Sequence, residues 1–157
     1  MIRPEATGYG TVYFAREMLS TKDKSFHGAR VAISGSGNVA QFAAEKVIDL
    51  GGKPVTLSDS SGFIYDSEGI DRQKLAYVMD LKNNRRGRIK EYAKEYGCEY
   101  TETEPEPNLN GLWGVEVDIA LPCATQNEMN GEEAKMLVDN GCVAVAEGAN
   151  MPCTPEA

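Results

Sequence analysis

The residues best placed to do chemistry are Gly35-Ser36-Gly37-Asn38-Val39-Ala40, which stand between the short apolar run Ala29 to Ser34 and an amphipathic run ending at Leu50. Glycine at 35 lets a chain turn sharply off a strand. Glycine at 37 leaves no Cβ between an anion and the amides that open the next helix. Ala40 replaces the third glycine of the strand-turn-helix fingerprint, which tolerates it. Asp59 closes the next apolar run, Pro54 to Ser58, about 22 residues beyond Gly37, where an acid meets the ribose of an adenosine. Turn, helix start and acid together predict a dinucleotide site, with the pyrophosphate on Gly35 to Val39.

The elements that must position these groups alternate strand with helix. A helix is expected over Glu5 to Leu19, with Val12, Phe14, Ala15, Met18 and Leu19 at mostly helical intervals. The helix after the glycine turn should bury Val39, Phe42, Ala43, Val47 and Leu50 and leave Gln41, Glu45 and Lys46 wet. Ser60 to Gly69 reads as turn, extended piece and turn on the surface, and Asp71 as the N-cap of a helix through Leu81. A further helix carries Ile89, Tyr92, Ala93 and Tyr96, followed by a short strand at Cys98 to Thr101 and a loop around Pro105 and Pro107. Strands at Val115 to Leu121 and Cys142 to Ala146 open onto Cys123-Ala124-Thr125-Gln126-Asn127 and Glu147-Gly148-Ala149-Asn150. The expected fold is α/β, Rossmann-like and doubly wound, a mostly parallel sheet with helices on both faces. In such a sheet the loops beyond the strands' carboxyl ends form the ligand crevice, so the glycine turn, Asp59, the Thr125 loop and the Asn150 loop should share one edge. Ordinary turn chemistry accounts equally well for the last two loops on spacing alone.

With 157 residues and a net charge of −8, the chain is expected to be one domain, residues 1–157, with no nucleic-acid or anionic-membrane partner. No apolar run approaches the ~18 residues of a membrane span. The four cysteines form no C-x-x-C pair, which suits a reduced, cytoplasmic setting. His27 lies in a turn before Gly28, so no metal site is expected. The chain opens without a leader-like segment, and Glu156-Ala157 reads as the first residues of a helix, as though the sequence were a piece of a longer one.

Four stretches together resemble the cofactor domain of hexameric, NADP-type glutamate dehydrogenases. These are Arg3-Pro4-Glu5-Ala6-Thr7-Gly8-Tyr9-Gly10, the glycine turn, Leu121-Pro122-Cys123-Ala124-Thr125-Gln126-Asn127 and Glu147-Gly148-Ala149-Asn150-Met151-Pro152. The resemblance spans the whole chain. It implies oxidative deamination of L-glutamate to 2-oxoglutarate and ammonia by a homohexameric parent, and one sheet strand running against the rest. It also implies that Thr7 bonds the nicotinamide end, that Asn38 adds an amide contact, and that Gln126, Asn127 and Asn150 lie by the nicotinamide and its ribose. The family's catalytic lysine and aspartate, and most substrate ligands, belong to a domain absent from this sequence. No catalytic residue is therefore assigned here, and the chain alone is expected to bind cofactor without turnover.

The expected cofactor is NADP(H), with NAD(H) as the alternative. Asp59 alone favours NAD, because a carboxylate accepts bonds from a ribose diol and repels a 2′-phosphate. Against it stand Ser60 and Ser61 as hydrogen-bond donors, and Lys82 and Arg85, which would bring positive charge if their helix packs beside the second strand. NADP-preferring members of the family resemble this chain in that pattern. The basic run Lys82 to Arg88 otherwise reads as a solvated inter-helix loop. Two rivals remain open: a non-catalytic NAD(P)-sensing module, and a small methyltransferase with a nucleoside cofactor. Thr7 and Asn150 count against the first, and the Thr125 and Asn150 loops against the second.

Overall fold

Strand β1 (Arg30–Ile33) sends Val31 and Ile33 into one apolar cluster and Ala32 into another, the alternation of a strand covered on both faces. The computed structural model describes residues 2–103 and 111–157, so the expected loop around Pro105 and Pro107 lies outside the described residues. Around β1 the chain runs α1 (Ala6–Ser20), α2 (Asn38–Asp49), β2 (Lys53–Pro54), β3 (Thr56–Asp59), β4 (Gly62–Tyr65), α3 (Arg72–Met79), α4 (Lys90–Tyr96) and β5 (Glu99–Glu102). It continues through β6 (Ile119–Leu121), α5 (Gly131–Asp139) and β7 (Ala144–Val145). A single π turn, Asp80–Asn84, extends α3, and a 3-10 turn covers Gly111–Gly114.

β2, β1, β6 and β7 form, in that order, a wholly parallel sheet. One face packs on Val12, Ala15 and Leu19 of α1, on Ala40, Ala43, Ala44 and Val47 of α2, and on Leu75, Val78, Ile89 and Tyr92 beyond them. The other packs on Leu112 and Trp113 of the 3-10 turn and on Leu137 of α5. The expected α/β sheet with helices on both faces is the observed one. Asp71 caps α3 by accepting the Lys74 N–H at 2.8 Å, and Asn130 with Glu133 forms a reciprocal capping box at the start of α5.

The second strand departs from expectation in an instructive way. Rather than one run over 54–58, it leaves the parallel sheet after β2 and joins a second, three-stranded sheet in the order β3-β4-β5. Thr56 is the reason. Its buried hydroxyl accepts the Ile33 N–H at 2.9 Å and donates to the Ile33 carbonyl at 3.0 Å, taking the place of a backbone rung. The Thr56 backbone is thereby released to pair with Tyr65. β4 runs antiparallel to both neighbours, so the opposed strand expected within the parallel sheet lies instead in this second one. The stretch expected on the surface after Asp59 therefore holds the central strand of this sheet, with Phe63 and Ile64 buried. A two-residue turn at Ser60-Ser61 suffices to reverse the chain.

The sheets are shorter than the apolar runs that mark them. Of Val115 to Leu121 only Ile119–Leu121 pairs, and of Cys142 to Ala146 only Ala144–Val145. On α1, Phe14 is 64% exposed and Gly8 and Thr11 take the buried face instead. Gly8 is required by a close helix crossing: a Cβ there would lie 2.7 Å from the Val39 carbonyl oxygen and the Ala43 nitrogen of α2.

Candidate functional site

At the carboxyl edge of the parallel sheet lies a cleft of about 630 Å³, entered by the ends of β1, β3 and β6. Its floor is the glycine turn. Gly35 has a φ of 83°, and an added Cβ would come within 3.0 Å of the Cys123 carbonyl oxygen, so conformation and space both demand glycine. The Gly35 N–H donates to the Ser58 hydroxyl at 2.7 Å, and the Gly35 carbonyl accepts the Ser58 N–H at 3.0 Å. The turn is thus pinned to β3.

Beyond Gly37 the surroundings are open, with no atom within 4 Å of where a Cβ would stand. Gly37 is the N-cap of α2 and provides no side-chain cap. The first-turn amides of a helix have no acceptor within it, and the helix dipole adds partial positive charge. An uncapped, unobstructed helix start in a cleft suits a phosphate group. Ser36, Asn38 and Val39 line the same wall.

Gln41 was expected on the wet face of α2 and is instead 1% exposed. Its amide donates to the Ser36 carbonyl at 2.8 Å and exchanges hydrogen bonds of 3.1 Å with Asn83 in the π turn. The basic run after α3 is therefore fastened to the glycine turn. Its members are placed unequally. Lys82 reaches Asp59, its Nζ 3.4 Å from Oδ2, and also donates to the Gly87 carbonyl at 3.0 Å. Arg88 donates to the Ser60 hydroxyl at 2.9 Å. Arg85 is drawn to Asp80 at 2.9 Å and lies over the Tyr77 ring, its pKa raised chiefly by Tyr77. The basic side chain that meets the Asp59–Ser60 corner along with Lys82 is thus Arg88, not Arg85. Spacing along a helix pointed to Arg85, but the π turn and the following bend change the register of the side chains.

Asp59 lines the cleft with Ser60, and both oxygens of its carboxylate accept hydrogen bonds within the fold. Oδ1 accepts the Ser61 N–H at 2.9 Å, and Oδ2 accepts the Ile89 N–H at 2.8 Å beside Lys82. Thr103 completes this end.

The opposite end is the loop Ala124, Thr125, Gln126 and Asn127, all lining the cleft. Asn127, at φ 54°, donates its N–H to the Met151 carbonyl at 3.0 Å, and the Gly148 and Ala149 amides reach the Pro122 carbonyl at 2.8 and 3.1 Å. The loop bearing Asn150 is thereby tied on both sides to the loop bearing Thr125. Asn150 is exposed and not itself a wall of the cleft. Thr7, also exposed and outside the walls, is held near the start of α2 by the Gly8 crossing and by Asn38, whose side-chain amide donates to the Pro4 carbonyl at 2.7 Å. That bond already employs the amide expected to meet a ligand.

Five wall residues lie outside the expected site: Ser34, Ser58 and Cys123, which are buried, and Thr103 and Glu128. Burial pushes the Cys123 thiol up to about 12, with the Glu128 charge adding to it. Burial also raises the Glu128 carboxyl above the usual range, against the pull of the Ser34 hydroxyl and the Thr125 and Ala124 amides. Ser34 and Ser58 follow or end strands that point into the turn, a position that marks small polar residues as candidates. Among the described residues no group of three or more His, Cys, Asp or Glu is placed to hold a metal ion. No helix among them is long and apolar enough to cross a membrane.

Residues 1–157 match the family model described as glutamate/leucine/phenylalanine/valine dehydrogenase. The chain is 62% identical, over its full length, to a glutamate dehydrogenase of Bacteroides thetaiotaomicron, of which it covers 34%. It is 58% identical to an NAD(P)-specific glutamate dehydrogenase of Xylanibacter ruminicola and 55% to an NADP-specific one of Haemophilus influenzae, in each case over all of this chain and 34% of the relative. The solved glutamate dehydrogenase of Plasmodium falciparum superposes on 98% of the chain with a TM-score of 0.89 at 42% identity, the match covering 32% of that structure. The chain therefore spans about a third of the length of the curated relatives it matches.

Proposed function

The chain belongs to the glutamate/leucine/phenylalanine/valine dehydrogenase family, and from that premise we propose that it is the dinucleotide-binding part of a glutamate dehydrogenase that uses NADP(H). One observation carries the reading. The cleft joins an uncapped helix start, a corner of Asp59 and Ser60 to which Lys82 and Arg88 bond from outside its walls, and a loop of neutral hydroxyl and amide side chains. These are the separate requirements of a pyrophosphate, a phosphorylated ribose and a nicotinamide.

In this reading the α2 start and the Gly37 opening hold the pyrophosphate. Ser60, Lys82 and Arg88 face the 2′-phosphate, with Lys82 offsetting the Asp59 charge. Two opposite charges ~4 Å apart attract by about 4 kcal/mol at a surface-like dielectric, enough to decide whether a carboxylate repels a phosphate. Thr125, Gln126, Asn127, Asn150 and Thr7 orient the nicotinamide carboxamide and ribose without placing a charge beside the reacting carbon. Nicotinamide, when bound, supplies the hydride acceptor for the α-carbon of L-glutamate. The substrate contacts and the proton-transferring groups come from the remaining two-thirds of a protein of the relatives' length, assembled as a cytoplasmic homohexamer. NAD(H) is the alternative cofactor, favoured by Asp59 and by the NAD(P)-specific name of the Xylanibacter relative.

Titrating the purified chain with NADPH and NADH, while following nicotinamide fluorescence, tests binding and preference together. Tighter binding of NADPH, with no turnover of 2-oxoglutarate and ammonia, is expected. Absence of binding by either cofactor overturns the reading, and tighter binding of NADH overturns the preference. A non-catalytic NAD(P)-sensing module would bind cofactor but lack glutamate dehydrogenase activity even in the full-length parent.

A further inference from the structure

Glu128 is a half-buried acid in the cleft to which the cofactor reading assigns no task. Its Oε2 accepts the N–H groups of Ala124 at 3.0 Å and Thr125 at 2.7 Å. Its Oε1 accepts the hydroxyl of Ser34. Ser34 in turn accepts the Cys123 N–H at 2.9 Å, and its N–H reaches the Leu121 carbonyl at 3.3 Å. Glu128 is itself anchored, since its backbone carbonyl takes the indole N–H of the fully buried Trp113 at 3.2 Å. One carboxylate thus spans the end of β1, immediately before the glycine turn, and the first two residues of the loop at the opposite end of the cleft.

Without that acceptor the Ala124 and Thr125 amides lose their partner, and the loop is fastened at its ends alone, by Pro122 and Cys123 on one side and Asn127 on the other. A hydrogen bond to a charged group is stronger than one between neutral groups, and two such bonds to one oxygen hold a short loop in one conformation. Glu128 touches neither the α2 start nor the Asp59 corner through any of these bonds.

We propose that Glu128 is a positioning residue for the nicotinamide end of the cleft: its carboxylate clamps the Ala124–Thr125 backbone to Ser34, so that the loop of Thr125, Gln126 and Asn127 is preformed for its ligand. The proposal rests on the dinucleotide reading above, and its effect is confined to one half of the ligand.

The experiment compares the whole chain with its Glu128→Ala and Glu128→Gln variants, measuring affinity for NADPH and for 2′,5′-ADP, which carries the adenosine half alone. Glu128→Ala should weaken NADPH binding by at least about tenfold and diminish the fluorescence enhancement of the bound nicotinamide, while 2′,5′-ADP binding changes less than about twofold. Glu128→Gln keeps an oxygen for the two amides and should restore most of the loss. Because 2′,5′-ADP binding also reports that the variant is folded, equal loss of both ligands overturns the assignment, as does undiminished NADPH binding. If the wild-type chain binds neither ligand, the dinucleotide reading falls and takes this one with it. If the wild type binds both, only the role of Glu128 is at stake.

Discussion

Lys82 lies against Asp59, Nζ to Oδ2 at 3.4 Å, although the two are 23 residues apart and belong to different elements. Both side chains are largely withdrawn from solvent, at 18% and 7% exposure. The acid at the end of β3 therefore comes with its own countercharge, and the local sign of this corner is decided by the pair rather than by Asp59 alone.

Replacing Lys82 by Ala should weaken NADPH binding much more than NADH binding, because it removes a phosphate partner and uncovers the Asp59 carboxylate. Arg88→Ala should act in the same direction. Each is expected to cost about tenfold or more. Arg85→Ala should cost less, since Arg85 must first leave Asp80 and Tyr77. The gap between cofactors should narrow in high salt. Fluorescence titrations at two ionic strengths decide the matter, and equal losses for both cofactors would remove the phosphate role.

Gly8 and Gly10 share a helix and should respond oppositely to alanine. At Gly8 the new methyl meets the α2 backbone at 2.7 Å, whereas nothing lies within 4 Å at Gly10. Gly8→Ala should destabilise by about 1–3 kcal/mol through overpacking. Gly10→Ala should stabilise by roughly 0.5–1 kcal/mol through helix propensity. Urea midpoints of the two variants provide the comparison, and similar midpoints would show that the helices do not cross so closely.

Thr56→Val preserves shape but removes the hydroxyl that serves Ile33 on both sides. A loss of about 1–3 kcal/mol is expected, from the orphaned Ile33 N–H and carbonyl. Thr56→Ser should retain most of the stability. If valine is tolerated as well as serine, the side-chain rung contributes nothing.

Alkaline pH should weaken the fold before it disturbs the main chain. Burial raises the Cys98 thiol from 9.0 to about 11, and a hydrogen bond to Glu45 raises the Tyr9 phenol from 10.0 to about 12. Each group keeps its proton longer in the folded chain than in the unfolded one. Its contribution is complete below the ordinary value and is lost as pH rises through the raised one. Urea midpoints should therefore fall between about pH 9 and pH 12, and Cys98→Ser should flatten the lower part of that fall. A midpoint independent of pH over this range would contradict the assignment.

The sequence by itself determined the elements whose rules are local. A β-branched run, two glycines and an amphipathic period specify β1, the turn and α2, because strand, turn and helix start are each encoded within a few residues. Asp71 announces its cap for the same reason. The grouping of the glycine turn, Asp59 and the Thr125 loop along one edge follows from the alternation of strand and helix, which leaves few topologies open.

Only the tertiary structure decided the rest. That Thr56 divides the second strand, that Gln41 is buried beneath Asn83, and that Arg88 rather than Arg85 joins Ser60 all depend on partners far along the chain. Glu128 is the extreme case: it meets Ser34 across 94 residues and sits in a sequence context that reads as an ordinary turn. A side chain's spacing tells which face of its own element it occupies. What that face meets is settled only when the elements pack, and with it whether a charge is free, paired or buried.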